Sequence, residues 1–222
     1  MHTEKINEFL KFISKDLNPG LNDLERLDRP NRVHIQKLVF TNLTDRFDHL
    51  IDKLILDNCR EEKLLSKILD DKDAPVRESD FFRILLETND LQKALTLRLQ
   101  DKLRASILRE RHSLKLSTLL DLCDGTGNVF NKPRVNISTG DIHDKFTVQN
   151  KNIPHSICGY ADWLYSRRNA IVHGASSSKY LENDCKMIKK KFKVDLPKTF
   201  RISLASIRNA VTFYRAICGL IY

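Results

Sequence analysis

The stretch Asp28-Arg29-Pro30-Asn31, followed by Val39, Leu43, Phe47, Leu50, Ile51, Leu54 and Ile55, decides how this chain folds. A polar opening with a proline in the first turn is a helix start, and the apolar residues that follow recur at steps of three and four. That spacing places them on one face of a helix of about seven turns, long enough for other helices to assemble around it.

The same period extends in both directions. Residues 3–17 carry Ile6, Phe9, Leu10 and Ile13 on one face, with Asn18-Pro19-Gly20 as the expected stop. Downstream, Glu61 to Leu69 reads as a helix that ends in the polar run Asp70 to Pro75. Ser79-Asp80 is expected to cap a short helix through Leu86, after which Thr88-Asn89-Asp90 precedes an amphipathic run from Leu91 to about Arg111. Leu95, Leu99, Leu103, Ile107 and Leu108 form its stripe, and Arg98, Lys102, Arg104, Arg109 and Arg111 read as its solvated faces. Leu114 to Leu122 continues the helical pattern. Residues 124–152 break it with Gly, Asn, Asp, Thr, Lys and Pro, and Val135 and Ile137 are the only strand-like fragment. Ser156 then opens a helix to about Val172, with Ile157, Ala161, Leu164 and Ile171 inward and Gly174 placed to close it. A basic segment from Lys186 to Lys193 follows, and Ser203 caps a last helix carrying Ile207, Val211, Tyr214, Cys218 and Ile221. The expected fold is all-α, a helical bundle in a single domain over residues 1–222, with 1–29 as an N-terminal helical extension and 124–152 as a loop insert.

Composition narrows the class of function. The chain has 222 residues, 38 Lys+Arg against 29 Asp+Glu, 7 Gly and 6 Pro, so it is neither a disordered nor a collagen-like polymer. No apolar run reaches the roughly 20 residues that cross a bilayer, and the first residues lack the apolar stretch of a signal peptide, so a cytoplasmic protein with no membrane partner is expected. Cys59, Cys123, Cys158, Cys185 and Cys218 are odd in number and widely spaced, which opposes a disulfide framework or a structural zinc site. No metal and no cofactor is expected. The charge is uneven: residues 1–111 hold 21 Lys+Arg and 21 Asp+Glu, whereas residues 112–222 hold 17 and 8. The whole surplus of +9 falls in the C-terminal half, where it suits a polyanion such as nucleic acid.

Within that half one segment carries chemistry: Arg167-Arg168-Asn169-Ala170-Ile171-Val172-His173-Gly174. At about 100° per residue Asn169 and His173 stand one turn apart on one face, with Arg168 beside it. A fixed cation, an amide and an imidazole suit cleavage of RNA by its own 2′-hydroxyl. That reaction needs a proton removed from the nucleophile, charge stabilised on the phosphoryl oxygens, and a proton supplied to the departing 5′-oxygen. An imidazole such as His173 can move protons near neutral pH, and a helix C-terminus favours a cation, so an acid or charge-stabilising role is as open as that of a base. Arg168 is suited to two-point contact with a phosphate, and Asn169 to donating to a phosphate oxygen or fixing the imidazole. Arg167 and the run Lys189-Lys190-Lys191 are expected substrate contacts. Arg29 and His34 share the Arg-to-His spacing, but a proline follows that arginine at a helix start, so the two side chains would diverge.

The octapeptide resembles the motif of the HEPN superfamily, an Arg, a polar residue, three further residues and a His, and looks most like the ribonuclease branch with the RiboL-PSP-HEPN families. In this sequence Arg168, Asn169 and His173 occupy those positions. The resemblance implies a four-helix core that homodimerises, joining two motifs in one cleft, and a metal-independent endoribonuclease acting as a toxin or antiviral defence effector. It also implies a separate antitoxin or regulatory protein. A non-catalytic HEPN module that binds RNA or a nucleotide, or serves as a scaffold, is the alternative. Weaker candidates are a cation site at Asp141, His143 and Asp144 and base stacking on Tyr160 and Trp163 in place of core packing, whereas Gly125-Thr126-Gly127, with no strand before it and no Gly-Lys-Ser/Thr after it, reads as a turn and Ser176-Ser177-Ser178 as a flexible connector.

Overall fold

A computed structural model describes residues 2–69, 77–87, 90–124, 129–143, 155–174, 177–192, 196–198 and 201–222. They form an all-α bundle whose axis is the long helix α3, Arg29–Asp57. Asp28 caps it by accepting the Asn31 N–H, and Pro30 sits in the first turn, where no N–H is needed. Phe40, Leu43, Phe47, Leu50, Ile51, Leu54 and Ile55 are all buried on one stripe, as the spacing predicts.

The N-terminal segment departs from expectation. Helix α1, His2–Lys11, does not stop at Asn18-Pro19-Gly20 but passes through a π-helical segment, Phe12–Leu17, into α2, Asn18–Asp23. In the wide turn the Asn18 N–H reaches back five residues to the Ile13 carbonyl. The buried residues Phe9, Ile13, Leu17 and Leu21 recur every four residues, a period that drifts about 40° per turn on a regular α-helix. The widened turn absorbs that drift, and Pro19 starts α2 in a position where its missing N–H costs nothing.

Helix α4 is Glu62–Leu69 and α5 is Glu78–Glu87, so Ser79-Asp80 lies inside the first turn of α5 and not at its cap. The run expected from Leu91 to Arg111 divides into α6, Leu91–Ala105, and α7, His112–Asp124, joined by a 3-10 turn at Ile107–Arg109. Asp70 to Pro75, Thr88-Asn89 and Gly125-Thr126-Gly127 lie outside the described residues. Part of the insert folds as a short strand, β1 Pro133–Val135, paired antiparallel with β2, His155–Ser156, just beyond the insert, and Ile142 bridges to Val135 as well. Two strands are therefore neighbours where none were expected. The Asn209 side chain donates to the Ser138 carbonyl at 2.7 Å, and at Gly140 (φ 79°) a Cβ would lie 2.1 Å from the Asn209 carbonyl oxygen. Only glycine fits there.

Ser156 caps α8, Ile157–His173, through the Gly159 N–H, and Gly174 closes it with φ 77°. Helix α9, Ser177–Phe192, returns antiparallel along α8, so Ser177-Ser178 open a helix where a connector was expected, and Ser176 lies outside the described residues. Ser203 and Ser206 form a reciprocal capping box at the start of α10, Leu204–Ile221. Aromatic packing ties the layers together: Phe47 of α3 stacks on Tyr214 of α10 at 4.0 Å, and Tyr160 of α8 meets Phe213 edge-on at 4.8 Å. Cys59, Cys158, Cys185 and Cys218 are buried free thiols, and Cys123 is exposed. Among the described residues no helix is long and apolar enough to cross a membrane.

Candidate active site

Helix α8 holds all the motif residues, and its first eight residues, Ile157 to Leu164, are buried all round. Tyr160 and Trp163 are part of that core, with the Trp163 indole N–H donating to the Pro197 carbonyl at 3.1 Å, so neither ring is presented to a base. The helix emerges only in its last turns. Arg168 and Asn169 are half-buried, while Val172 and His173 are exposed.

The two adjacent arginines have opposite fates. Arg168 places Nε 2.6 Å from Asp45 Oδ1 of α3, and its Nη1 donates to Asn169 Oδ1 at 3.0 Å. The pairing with Asp45 holds its guanidinium pKa above the usual value despite partial burial. Arg167, expected to touch substrate, is only 3% exposed. Its Nη2 donates to the Arg201 carbonyl at 2.6 Å, and its guanidinium carbon lies 4.6 Å from the Trp163 ring centroid and 5.5 Å from that of Phe40. Burial lowers its pKa to about 10, which still leaves it charged at neutrality. Arg167 is a core residue, and the correction has a simple cause: it points about 120° away from His173 around α8.

Lys189, Lys190 and Lys191 are exposed in the last turn of α9, at the opposite end of the hairpin from the motif. Lys191 acts on the Cys158 thiol, which burial pushes up to about 12 and the lysine charge draws down. Cys158 is fifteen residues before His173, about 22 Å along the helix. The structure therefore joins Arg168 to Asn169, places His173 one turn further along the same helix, and leaves Arg167 and the three lysines apart from them.

What surrounds the motif comes from elsewhere in the chain. A cleft of about 390 Å³ is lined by Asn169, Ser166 and Tyr165 of α8, Asp48 and Asp52 of α3, and Lys115 of α7, among others. His112 Nδ1 donates to Asp48 Oδ1 at 2.7 Å while its ring stacks on Tyr165 at 5.0 Å. Lys115 Nζ lies 2.6 Å from Asp48 Oδ1 and 2.8 Å from Asp52 Oδ1. Burial alone would raise the Asp48 carboxyl, but His112 and Lys115 outweigh it and hold the pKa at about 2. For Asp52 burial prevails and raises the pKa. Asp184 of α9 is paired with Arg111 at 3.0 Å.

The carboxylates were legible as a stripe, since Asp45, Asp48 and Asp52 recur at three and four beside the apolar face of α3. Nothing in the local sequence paired them with residues more than sixty positions away. They also alter the electrostatics: the half of the chain with no net charge supplies the acids that neutralise Arg168 and Lys115 of the basic half. Of the cation candidates, Asp141 is exposed and His143 half-buried in the turn after β1, and Asp144 lies outside the described residues. No protein-family model, no curated protein and no solved structure matches this chain.

Proposed function

We propose that the protein is a metal-independent endoribonuclease, its site completed by a second copy of the chain. The observation that carries the reading is the emergence of Arg168, Asn169 and His173 together from the core, with Arg168 Nη1 held on Asn169 Oδ1 and His173 exposed one turn further on. A guanidinium fixed by a carboxylate and an amide is pre-oriented for a phosphate, which lowers the cost of binding it. In the reaction the RNA 2′-oxygen bonds to phosphorus as its proton leaves, and the bond to the 5′-oxygen breaks as that oxygen takes a proton. The products are a 2′,3′-cyclic phosphate and a 5′-hydroxyl. Arg168 and Asn169 meet the charge on the phosphoryl oxygens, and His173 moves protons. One imidazole cannot be base and acid in the same step, so a homodimer with two copies of His173 in one cleft suits the chemistry. Such an activity fits a toxin or defence effector restrained by a separate regulatory protein.

A non-catalytic RNA- or nucleotide-binding module, or a scaffold, is the second reading, favoured by the ion pair that already neutralises Arg168 with Asp45. One assay separates them. Purified protein is incubated with mixed-sequence RNA in EDTA beside His173→Ala and Arg168→Ala. Cleavage that survives EDTA, yields 2′,3′-cyclic ends and is lost in both variants supports the nuclease. Intact RNA, or variants that cut like the wild type, refutes it, and salt-sensitive association without cutting supports the binding module.

A further inference from the structure

Arg29, set aside above because with His34 it shares only the motif's spacing, meets Arg32 and Arg201 in a pocket of about 520 Å³. The pocket lies between the first turns of α3 and the start of α10, beside the carbonyl of Arg201 that holds Arg167. It is therefore on the side of α8 turned away from His173. Three arginines and Glu25 line it, and Glu25 lies 3.9 Å from Arg208 Nη2. Among the described residues Arg29 and Arg32 make no ion pair. At its wall sits Gln36, only 7% exposed and without a hydrogen-bond partner among the described residues. Gln36 lines the pocket, and its amide can donate there to an acceptor.

The backbone adds to the same field. The capping box of α10 uses the N–H groups of Ser203 and Ser206, which leaves those of Leu204 and Ala205 in the first turn for another acceptor. Two long helices thus direct their positive ends at this pocket, and Val33 and Leu204 give it an apolar wall. The volume falls in the range of small-ligand sites and exceeds what one anion fills.

We propose that this pocket binds a phosphorylated small ligand, its phosphate held by Arg29, Arg32, Arg201 and the Gln36 amide and its less polar body lying against Val33 and Leu204. The site is separate from the motif and does not depend on the nuclease reading. Arginine forks bind phosphate oxygens in pairs, an amide N–H supplies a further donor, and the only carboxylate lining the pocket, Glu25, sets an opposing charge at its rim.

The experiment is calorimetric titration at constant ionic strength with inorganic phosphate, adenosine 5′-monophosphate and adenosine. Saturable binding of phosphate or the monophosphate, with adenosine at least tenfold weaker, is expected. Arg29→Ala/Arg32→Ala should weaken the monophosphate tenfold or more, Gln36→Leu severalfold, and Glu25→Gln should strengthen it. His173→Ala should bind like the wild type, so the result does not depend on any nuclease activity. Equal affinity for phosphate and the monophosphate means that the phosphate alone is read, and tighter monophosphate binding means that the apolar wall contributes. No saturable binding of either, adenosine binding as tightly as its monophosphate, or unchanged affinity in the double arginine variant overturns the proposal. Arg29 and Glu25 are exposed and Arg32 is half-buried, so those variants carry the test even if Gln36→Leu folds poorly.

Discussion

The two sides of α8 put the same side chain to opposite uses. On one side Arg167 is buried against Trp163 and Phe40, with Nη2 donating to a backbone carbonyl, while on the other Arg168 is half-buried and paired with Asp45 and Asn169. Neighbours in sequence, they differ because one residue rotates a helix by about 100°. The first arginine holds the start of α10 to α8, and the second ties α8 to α3 through Asp45. A doublet of arginines is therefore not one binding feature but two, separable by mutation.

The largest effect is expected at Arg167. Replacing it with alanine opens a cavity beside Trp163 and removes the hydrogen bond to the Arg201 carbonyl, which should cost about 4 kcal/mol in urea unfolding. If Arg167→Ala unfolds like the wild type, the contrast between the two sides is broken. Next is His173→Ala, which should lower RNA cleavage a hundredfold or more, about 3 kcal/mol in the transition state, while moving stability by less than about 0.5 kcal/mol, because the ring is exposed.

Asp48→Asn tests the layer beneath the cleft. Its carboxyl pKa lies at about 2 against 3.8 for the free group, so its stabilisation is full above pH 4 and is lost as pH falls toward 2. The variant should be less stable at neutral pH by about 2 kcal/mol, a gap that closes in acid. Asp52, shifted upward in part by the Asp48 charge, contributes the opposite slope, which the variant weakens as well. Equal pH profiles would contradict the pairing with His112 and Lys115. The smallest effect belongs to Lys189→Gln/Lys190→Gln/Lys191→Gln, which should change cleavage less than about threefold at physiological salt, since a Debye length of about 8 Å is far shorter than their separation from His173. A larger loss would draw these lysines into the substrate path.

The helices were legible because their apolar residues keep a period and their ends carry conventional signals, as at Asp28, Ser156, Gly174 and Ser203. Pro19 misled because a stop signal is read against a regular α-helix, whereas a π-turn next to it lets the chain continue. The break at Ser106 was hidden by Leu103, Ile107 and Leu108, which keep the spacing across a 3-10 turn. At the site, the linear motif gave Arg168, Asn169 and His173, which share one stretch of helix. Arg167 was misread because α8 is buried on every side over its first half, so no polar face marks where solvent begins. The partners Asp45, Asp48, His112 and Lys115 come from α3 and α7, and only packing shows that they meet. The charge split between the halves of the sequence is similarly undone in space, where the acids of one half sit on the bases of the other.

Val135 pairs with Ile142 on one edge and His155 on the other. Strands in register lie about 4.8 Å apart, so the chain leaves this small sheet and rejoins it across a gap of about 10 Å. A linker of about four extended residues would close that gap, yet residues 143–154 supply twelve. Closing the sheet therefore asks for only about a third of that length, while Gly140 seats the turn between Val135 and Ile142 on α10.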